Sequence, residues 1–142
     1  MTIAEIRSDL IAKVPKAVAI AEDEIAQIIE NVLATFYASY SPVLYERTFQ
    51  LLHSCVKSGV YGGGGHAEAR IYLDSSMMSY SSGASPSGAS VMAAANVGKH
   101  GAMGLRMVGS GPALSSECES AVDAQAMNIL LSAILAAGIP IG

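Results

Sequence analysis

Apolar side chains recur every three or four positions over the first forty residues, a spacing that predicts helix. Pro15 divides this pattern, so we expect a short helix over residues 3–14 and a second helix that begins at Pro15. Ser41-Pro42 is expected to end the second helix, because the residue before a proline avoids the helical region. The apolar stripe of the second helix consists of Ala17, Ala21, Ile25, Ile28, Ile29, Val32, Phe36 and Tyr40.

Strand-forming residues dominate the middle of the chain, on both sides of four consecutive glycines at residues 62–65. Residues 48–61 and 66–74 are the two strand candidates, and the glycines between them predict a β-hairpin with a flexible tip. Alternation along the second candidate assigns its side chains to two faces. One face would carry Ala67, Ala69, Ile71 and Leu73, and the other His66, Glu68, Arg70 and Tyr72.

The segment after the hairpin is rich in Ser and Gly. Residues 80–88 are predicted to form a loop, residues 89–97 a short helix closed by Gly98, and residues 98–112, with five glycines, a long and partly irregular arm. Loops of this length in a compact domain usually bind something or become ordered against a partner.

The last helix carries the clearest end signals. Ser116-x-x-Glu119 matches a capping box, Gly138 stands where a left-handed cap belongs, and Pro140 follows it. The apolar positions predict one stripe, which three further residues widen. The stripe contains Val122, Ala126, Ile129, Leu130, Ala133, Ile134 and Ala137, and the additional residues are Met127, Leu131 and Leu135.

Length and composition limit the class of protein. The 142 residues suit a single domain, which divides into a helical part (1–41), a hairpin region (45–80), a Gly/Ser/Met-rich arm (81–114) and a C-terminal helix (115–138). A hydrophobic fraction of 51% excludes a disordered chain, and a net charge of −4 argues against a grip on bare nucleic acid. Because only 14% of residues are charged, we expect other subunits to cover part of the surface.

No targeting or membrane-spanning segment is expected, and two distant cysteines are typical of a cytosolic protein. A bridge between Cys55 and Cys118 is the minor alternative.

Isolated matches to catalytic motifs lack the residues that their chemistry needs. His66-x-Glu68 matches half of a zinc deaminase site, but no Cys-x-x-Cys supplies the remaining ligands. Ser54-x-x-Lys57 lacks the partner motifs of penicillin-recognising enzymes, and no Gly-Lys-Ser/Thr follows the glycines. The three histidines, His53, His66 and His100, show no ligand spacing. We therefore expect no enzyme, metal or cofactor, and keep a small metal-dependent hydrolase or deaminase as a distant alternative.

Residues 36–49 contain five of the eight aromatic side chains. Tyr and Arg often anchor interfaces, but a corner between helix and strand with aromatics filling the core explains this segment equally well. The same two explanations apply to the methionines of the middle third, Met77, Met78, Met92, Met103 and Met107.

A more specific pattern lies within this segment. Tyr37, Tyr40, Pro42, Tyr45, Arg47, Thr48 and Phe49 form Y-x-x-Y-x-P-x-x-Y-x-R-T-[YF]. This pattern resembles the minor virion proteins of tailed bacteriophages that belong to the neck or tail-completion (head–tail joining) family. Three further segments are similar to parts of that family and follow in the same order. They are residues 71–74 with the methionines and Tyr80 after them, the loop at residues 98–101, and the final A-A-G-I-P-I. Lys99 departs from it, since an aromatic residue is usual there.

The resemblance implies an α+β fold in which N- and C-terminal helices pack on a small antiparallel sheet with long Gly/Ser-rich loops. It implies a homo-oligomeric ring, expected to be a hexamer, at the virion neck, assembled in the host cytoplasm and bound to connector and tail proteins. DNA would pass through the ring without sequence-specific binding, and no catalytic residue, cofactor or membrane is involved. The alternative within the same particle is a tail terminator or minor tail protein. The candidate interaction residues are Tyr37, Tyr40, Pro42, Tyr45, Arg47, Met77, Met78, His100, Arg106 and Met107.

Overall fold

The computed structural model describes residues 1–38, 50–78, 87–97 and 113–141, together with the backbone of residues 102–103 and 106–107. These residues form three helices, α1 (Ile3–Ala38), α2 (Gly88–Asn96) and α3 (Leu114–Ala136). Strands β1 (Cys55–Lys57) and β2 (Ile71–Leu73) pair antiparallel, as do β3 (Ala102–Met103) and β4 (Arg106–Met107). Helices at both ends of the chain with a small antiparallel sheet confirm the α+β class.

Helix α1 is continuous through Pro15, so the expected division into two helices is wrong. A proline inside a helix removes one hydrogen bond and costs about 3 kcal/mol, which other contacts must offset. The turns on both sides of the proline are packed: Ile11 lies beside Gly65 of the hairpin, Lys13 lies beside Gly138 after α3, and Ala17 is buried. At its start the helix is closed by a reciprocal capping box between Thr2 and Glu5.

Helices α1 and α3 lie antiparallel along each other. The end of α3 meets α1 near Lys13, and the first turns of α3 line a groove together with Phe36 near the other end of α1. Small and branched side chains fill the contact between them. The apolar residues of the two helices that are buried outside the main core are Ala17, Ala26, Ile129 and Ala133.

The main hydrophobic core lies at one end of this helix pair, where five elements converge. The last turns of α1, the first residue of α3, the start of the hairpin, the segment that ends at Met78 and α2 all contribute to it. Its buried members are Leu33, Phe36, Tyr37, Leu51, Met78, Ala95 and Leu114. At the opposite end of the pair the tip of the hairpin reaches α1, where Gly65 lies beside Ile11, but this core cluster does not extend there among the described residues.

The hairpin is confirmed, but its strands are shorter than the sequence predicts. Val56 pairs with Tyr72 at its base, and a separate antiparallel bridge joins Tyr61 to Glu68 next to the glycine tip. The strand pattern before β1 is wrong in part, because residues 51–53 form a turn instead. The predicted alternation holds: Ala67, Ala69, Ile71 and Leu73 are half-buried, and His66, Glu68, Arg70 and Tyr72 are exposed.

Two neighbouring acids of α1 hold the hairpin against that helix. Glu22 is buried, and its carboxylate accepts a hydrogen bond of 3.0 Å from the backbone N–H of Gly59. Asp23 forms an ion pair of 2.6 Å with Lys57 of β1. The hydrogen bond to Asp23 and the charge of this carboxylate raise the pKa of Lys57, so the lysine stays charged through neutral pH and the pair is lost on the alkaline side as the pH rises through that raised value.

Helix α2 packs against a short 3-10 helix (Ser75–Met77) at a point where the backbones nearly touch. The side chain of Ser87 caps α2 by accepting from the N–H of Ser90. Gly88, the first residue of α2, is buried, and a Cβ at this position would collide with the carbonyl oxygens of Ser75 and Met78. The predicted helix at residues 89–97 is thus confirmed within one residue.

The two ends of α3 differ in how well the sequence predicts them. The helix begins at Leu114 with Ala113 as its cap and no side-chain cap bond, so the capping box at Ser116 and Glu119 is wrong. Its other end is as predicted: Gly138 has a φ of 81°, its N–H bonds to Leu135, and the N–H of Ile139 bonds to Ile134. These two bonds define a Schellman ending.

Part of the predicted organisation lies outside the described residues. This applies to the loop at residues 80–86, the helix stop at Ser41-Pro42, and most of the arm at residues 98–112. Within the arm, the pairing of β3 with β4 shows a short regular section, with Ala102 opposite Met107 and Met103 opposite Arg106.

Replacing Gly88 with Ala should destabilise the fold by about 1–3 kcal/mol, since the new methyl group meets backbone oxygens that cannot rotate away. The matched control is Gly63→Ala, because a Cβ at Gly63 has no neighbour within 4 Å. Urea unfolding of both variants measures the difference, and equal stability of the two would contradict the close packing of α2 on the 3-10 helix.

Candidate interaction surface

The side of α3 that faces away from α1 is strongly apolar and exposed. Four large side chains there are between 40% and 66% exposed to solvent. We call them the outer face of α3: Met127, Leu130, Leu131 and Leu135. Their spacing of three, four and eight residues from Met127 places them together on one side of the helix. No charged residue follows Asp123 in the sequence, so nothing in the helix interrupts this patch with charge.

The exposure of this face follows from the position of the core. Ile129 and Ala133 point toward α1 and are buried, whereas the outer face lies on the opposite side of the helix. Helix α2 and the 3-10 helix cover the other end of the helix pair, so no described element reaches the second half of α3 on its outer side. A helix that is apolar on all sides is normally buried on all sides. The outer face of α3 is therefore a candidate docking surface.

A second uncovered apolar surface lies at the start of α1. Residues 1–9 are all exposed, including Ile3 at 86% and Ile6 at 44%. Because the last turn of α3 meets α1 near Lys13, the residues before that point extend beyond the helix pair. We call residues 3–10 the leading segment of α1. Ile3, Ile6 and Leu10 lie on one side of it and continue the stripe that reaches Ala17 in the α1–α3 contact.

An open groove of about 480 Å³ runs between the second half of α1 and the first half of α3. Its lining combines apolar side chains such as Val32 and Phe36 with the polar groups of Asn31, Gln125 and Glu117. Glu117 provides the only ionisable group among the lining residues, so the groove offers a shape for a neighbouring chain but no acid–base pair.

The tip of the hairpin carries a cross-strand cluster of polar side chains. His66 lies 3.4 Å from the carboxylate of Glu68, and hydrogen bonds from Tyr61 and then His66 lower the pKa of Glu68 below its usual range. The same bond from Tyr61 to Glu68 raises the pKa of the tyrosine. The imidazole of His66 and the carboxylate of Glu68 are both exposed, which is typical of a solvated strand face rather than of an active site.

The candidate interaction residues fall into three groups. Tyr37 and Met78 are buried members of the core, and the ring of Tyr37 meets that of Phe36 edge to face with a centroid distance of 6.5 Å. At both positions, core filling rather than an interface describes the side chain. Met77 is exposed and remains available to a partner. Tyr40, Pro42, Tyr45, Arg47 and His100 lie outside the described residues, as do the side chains of Arg106 and Met107.

The other motifs are placed in structural roles. Ser54 is fully buried, and its hydroxyl donates a hydrogen bond to the carbonyl of Leu51. Lys57 forms an ion pair with Asp23. Ser54 and Lys57 therefore do not act on a common substrate. Cys55 and Cys118 are free, half-buried against the core, and burial raises the pKa of both thiols. Among the described residues, no three His, Cys, Asp or Glu side chains are grouped as metal ligands.

Sequence reasoning included the residues of the outer face in the apolar stripe of the last helix but did not single them out as interaction residues. Leu130 was expected in the stripe, and Met127, Leu131 and Leu135 as its widening, yet all four are exposed, as is Ala126. The signal that identifies them is the absence of charged residues after Asp123, together with apolar side chains on more sides of the helix than α1 covers.

The comparisons with known proteins supply no family. No protein-family model matches the chain, and no curated protein and no solved structure resembles it closely enough to count as a match. None of the helices formed by the described residues has the length and apolar character needed to cross a bilayer.

Truncation on the two sides of α3 should have different effects. Ile129→Ala should cost about 2–4 kcal/mol because it leaves a cavity against α1, whereas Leu131→Ala should cost less than about 1 kcal/mol. Chemical unfolding at a concentration where the protein is monomeric measures both. Comparable losses would mean that the chain itself covers Leu131.

Replacing Tyr61 with Phe should raise the pKa of Glu68 toward its usual range, because the phenol bond is the largest cause of its lowering. Because folding lowers the pKa of Glu68, the bond stabilises the hairpin fully at pH values above the usual carboxyl pKa. This stabilisation is lost as the pH falls through the lowered pKa of the folded state. An NMR titration of the Glu68 carboxyl group tests this, with Tyr72→Phe as the control. The same pKa in Tyr61→Phe and in the wild type would refute the bond.

Proposed function

We propose that this protein is a structural component of a tailed bacteriophage virion, in which copies form a ring at the neck that joins the head to the tail. The sequence pattern from Tyr37 to Phe49 and the order of similar segments after it support the neck assignment. The outer face of α3 carries the assembly part of the proposal, because a surface of four exposed large apolar residues is expected to be covered by protein.

The distribution of polar groups agrees with a mechanical role. The described polar clusters have local structural tasks: Glu22 and Asp23 hold the hairpin on α1, and Asp74 caps the 3-10 helix. A subunit of a ring buries apolar surface against its neighbours, and each copy uses two different patches when the contacts run head to tail. The outer face of α3 and the leading segment of α1 are two such patches on one chain.

Charge is relevant to the DNA path that the ring would surround. The chain has 8 basic and 12 acidic residues. A basic channel wall would retain DNA through the release of counterions, whereas an acidic one lets it slide. The acidic balance therefore suits a ring through which a genome passes without being bound.

The proposal is tested on particles of the phage that encodes the protein. Immunogold labelling with an antibody to this chain should place label at the junction of head and tail, and loss of the gene should give full heads without attached tails, as seen by electron microscopy. Label confined to the far end of the tail would support the minor tail protein alternative instead. Normal tailed particles that lack the protein would exclude any structural role.

A further inference from the structure

The uncovered stripe of α1 is the extension of a surface that already binds α3. Within one chain, α3 packs against α1 from about Phe36 to Lys13, and its last turn ends there. The apolar side of α1 continues through Leu10 and Ile6 to Ile3 without a helix opposite it. The capping box of Thr2 and Glu5 closes the helix just before this segment, so the helical shape of the segment is set locally.

The charges near the two uncovered surfaces are complementary. Arg7 lies on the apolar side of the leading segment, one turn after Ile3, and none of the ion pairs among the described residues includes it. Asp123 lies one turn before Met127 on the outer side of α3 and is likewise outside those ion pairs. When the leading segment lies antiparallel along the outer face, these unpaired charges approach each other while the apolar residues pack.

From these observations we infer that the leading segment of α1 of one copy docks antiparallel on the outer face of α3 of the next copy. The inference rests on the proposed function in taking the neighbour to be another copy of this chain. The contact is head to tail, because it joins two different surfaces, and repetition of it yields a ring or an open chain of subunits.

Two other occupants of the outer face fit the structure less well. A membrane surface would require basic residues beside the apolar face, and α3 carries three acids and no Lys or Arg. A symmetric pair of α3 helices would cover the outer face twice but leave Ile3 and Ile6 exposed, and it would bring no base to Asp123. The head-to-tail contact covers both surfaces at once.

Mixing of two variants tests the contact, with size measured by analytical ultracentrifugation. The leading-segment variant is Ile3→Glu with Ile6→Glu, and the outer-face variant is Met127→Glu with Leu131→Glu. Each alone should weaken self-association by at least about tenfold, because the contact would bury unpaired charges. Ala4→Glu with Ser8→Glu adds the same charges to the other side of the leading segment and should associate like the wild type.

The decisive result is the mixture. A leading-segment variant keeps an intact outer face, and an outer-face variant keeps an intact leading segment, so a one-to-one mixture should form heterodimers and nothing larger. A leading-segment variant that self-associates normally would point to the symmetric α3 pair and overturn the inference. A mixture that stays monomeric, or a wild type that is monomeric at every concentration, overturns it as well.

These outcomes are separable from a failure of the proposed function. Immunogold label at the neck combined with a monomeric mixture would retain the function and reject this contact. Heterodimers from a protein that is absent from virions would retain the contact and reject the function. Circular dichroism of each variant confirms that the substitutions, all at exposed positions, leave the fold intact.

Discussion

The antiparallel contact between α1 and α3 is the interaction on which the rest of the structure depends. Helix α1 takes part in two further contacts. It holds the hairpin through Glu22 and Asp23, and it contributes Leu33, Phe36 and Tyr37 to the core. The second half of α3 carries apolar side chains on more than one side, and none of its residues after Asp123 is charged. Packing on α1 buries one of its sides and leaves the other uncovered.

The uneven position of the core explains where the uncovered surfaces lie. Five elements meet at one end of the helix pair. At the other end only the hairpin tip joins the two helices among the described residues, and the leading segment of α1 is exposed up to residue 9. Among the described residues, part of the apolar surface of the helices is therefore left exposed. The proposed role in assembly would use such surface, because burial against neighbours provides the free energy that holds subunits together.

Sequence reasoning succeeded where the signal is local and failed where distant contacts compete with it. The end of α3 was predictable because Gly138 readily adopts a positive φ, and the alternation from His66 to Leu73 was predictable because the period of a strand is two. Pro15 was expected to divide α1, but contacts of the flanking turns keep the helix continuous. Ser116 and Glu119 match a capping box inside a helix that begins earlier, whereas Thr2 and Glu5 form the box that is used.

The sequence by itself determined which segments are helical and where the hairpin and its tip lie, though not the continuity of α1 or the first residue of α3, because apolar periodicity and glycine geometry act over a few residues. The α+β class was expected from the family resemblance. Only the tertiary structure decided which apolar residues are buried. Tyr37 and Met78 were interface candidates and lie in the core, while Leu131, which was expected only to widen the apolar stripe of α3, is exposed. Periodicity states which residues share a side of a helix, but whether that side is covered depends on where elements distant in sequence come to pack.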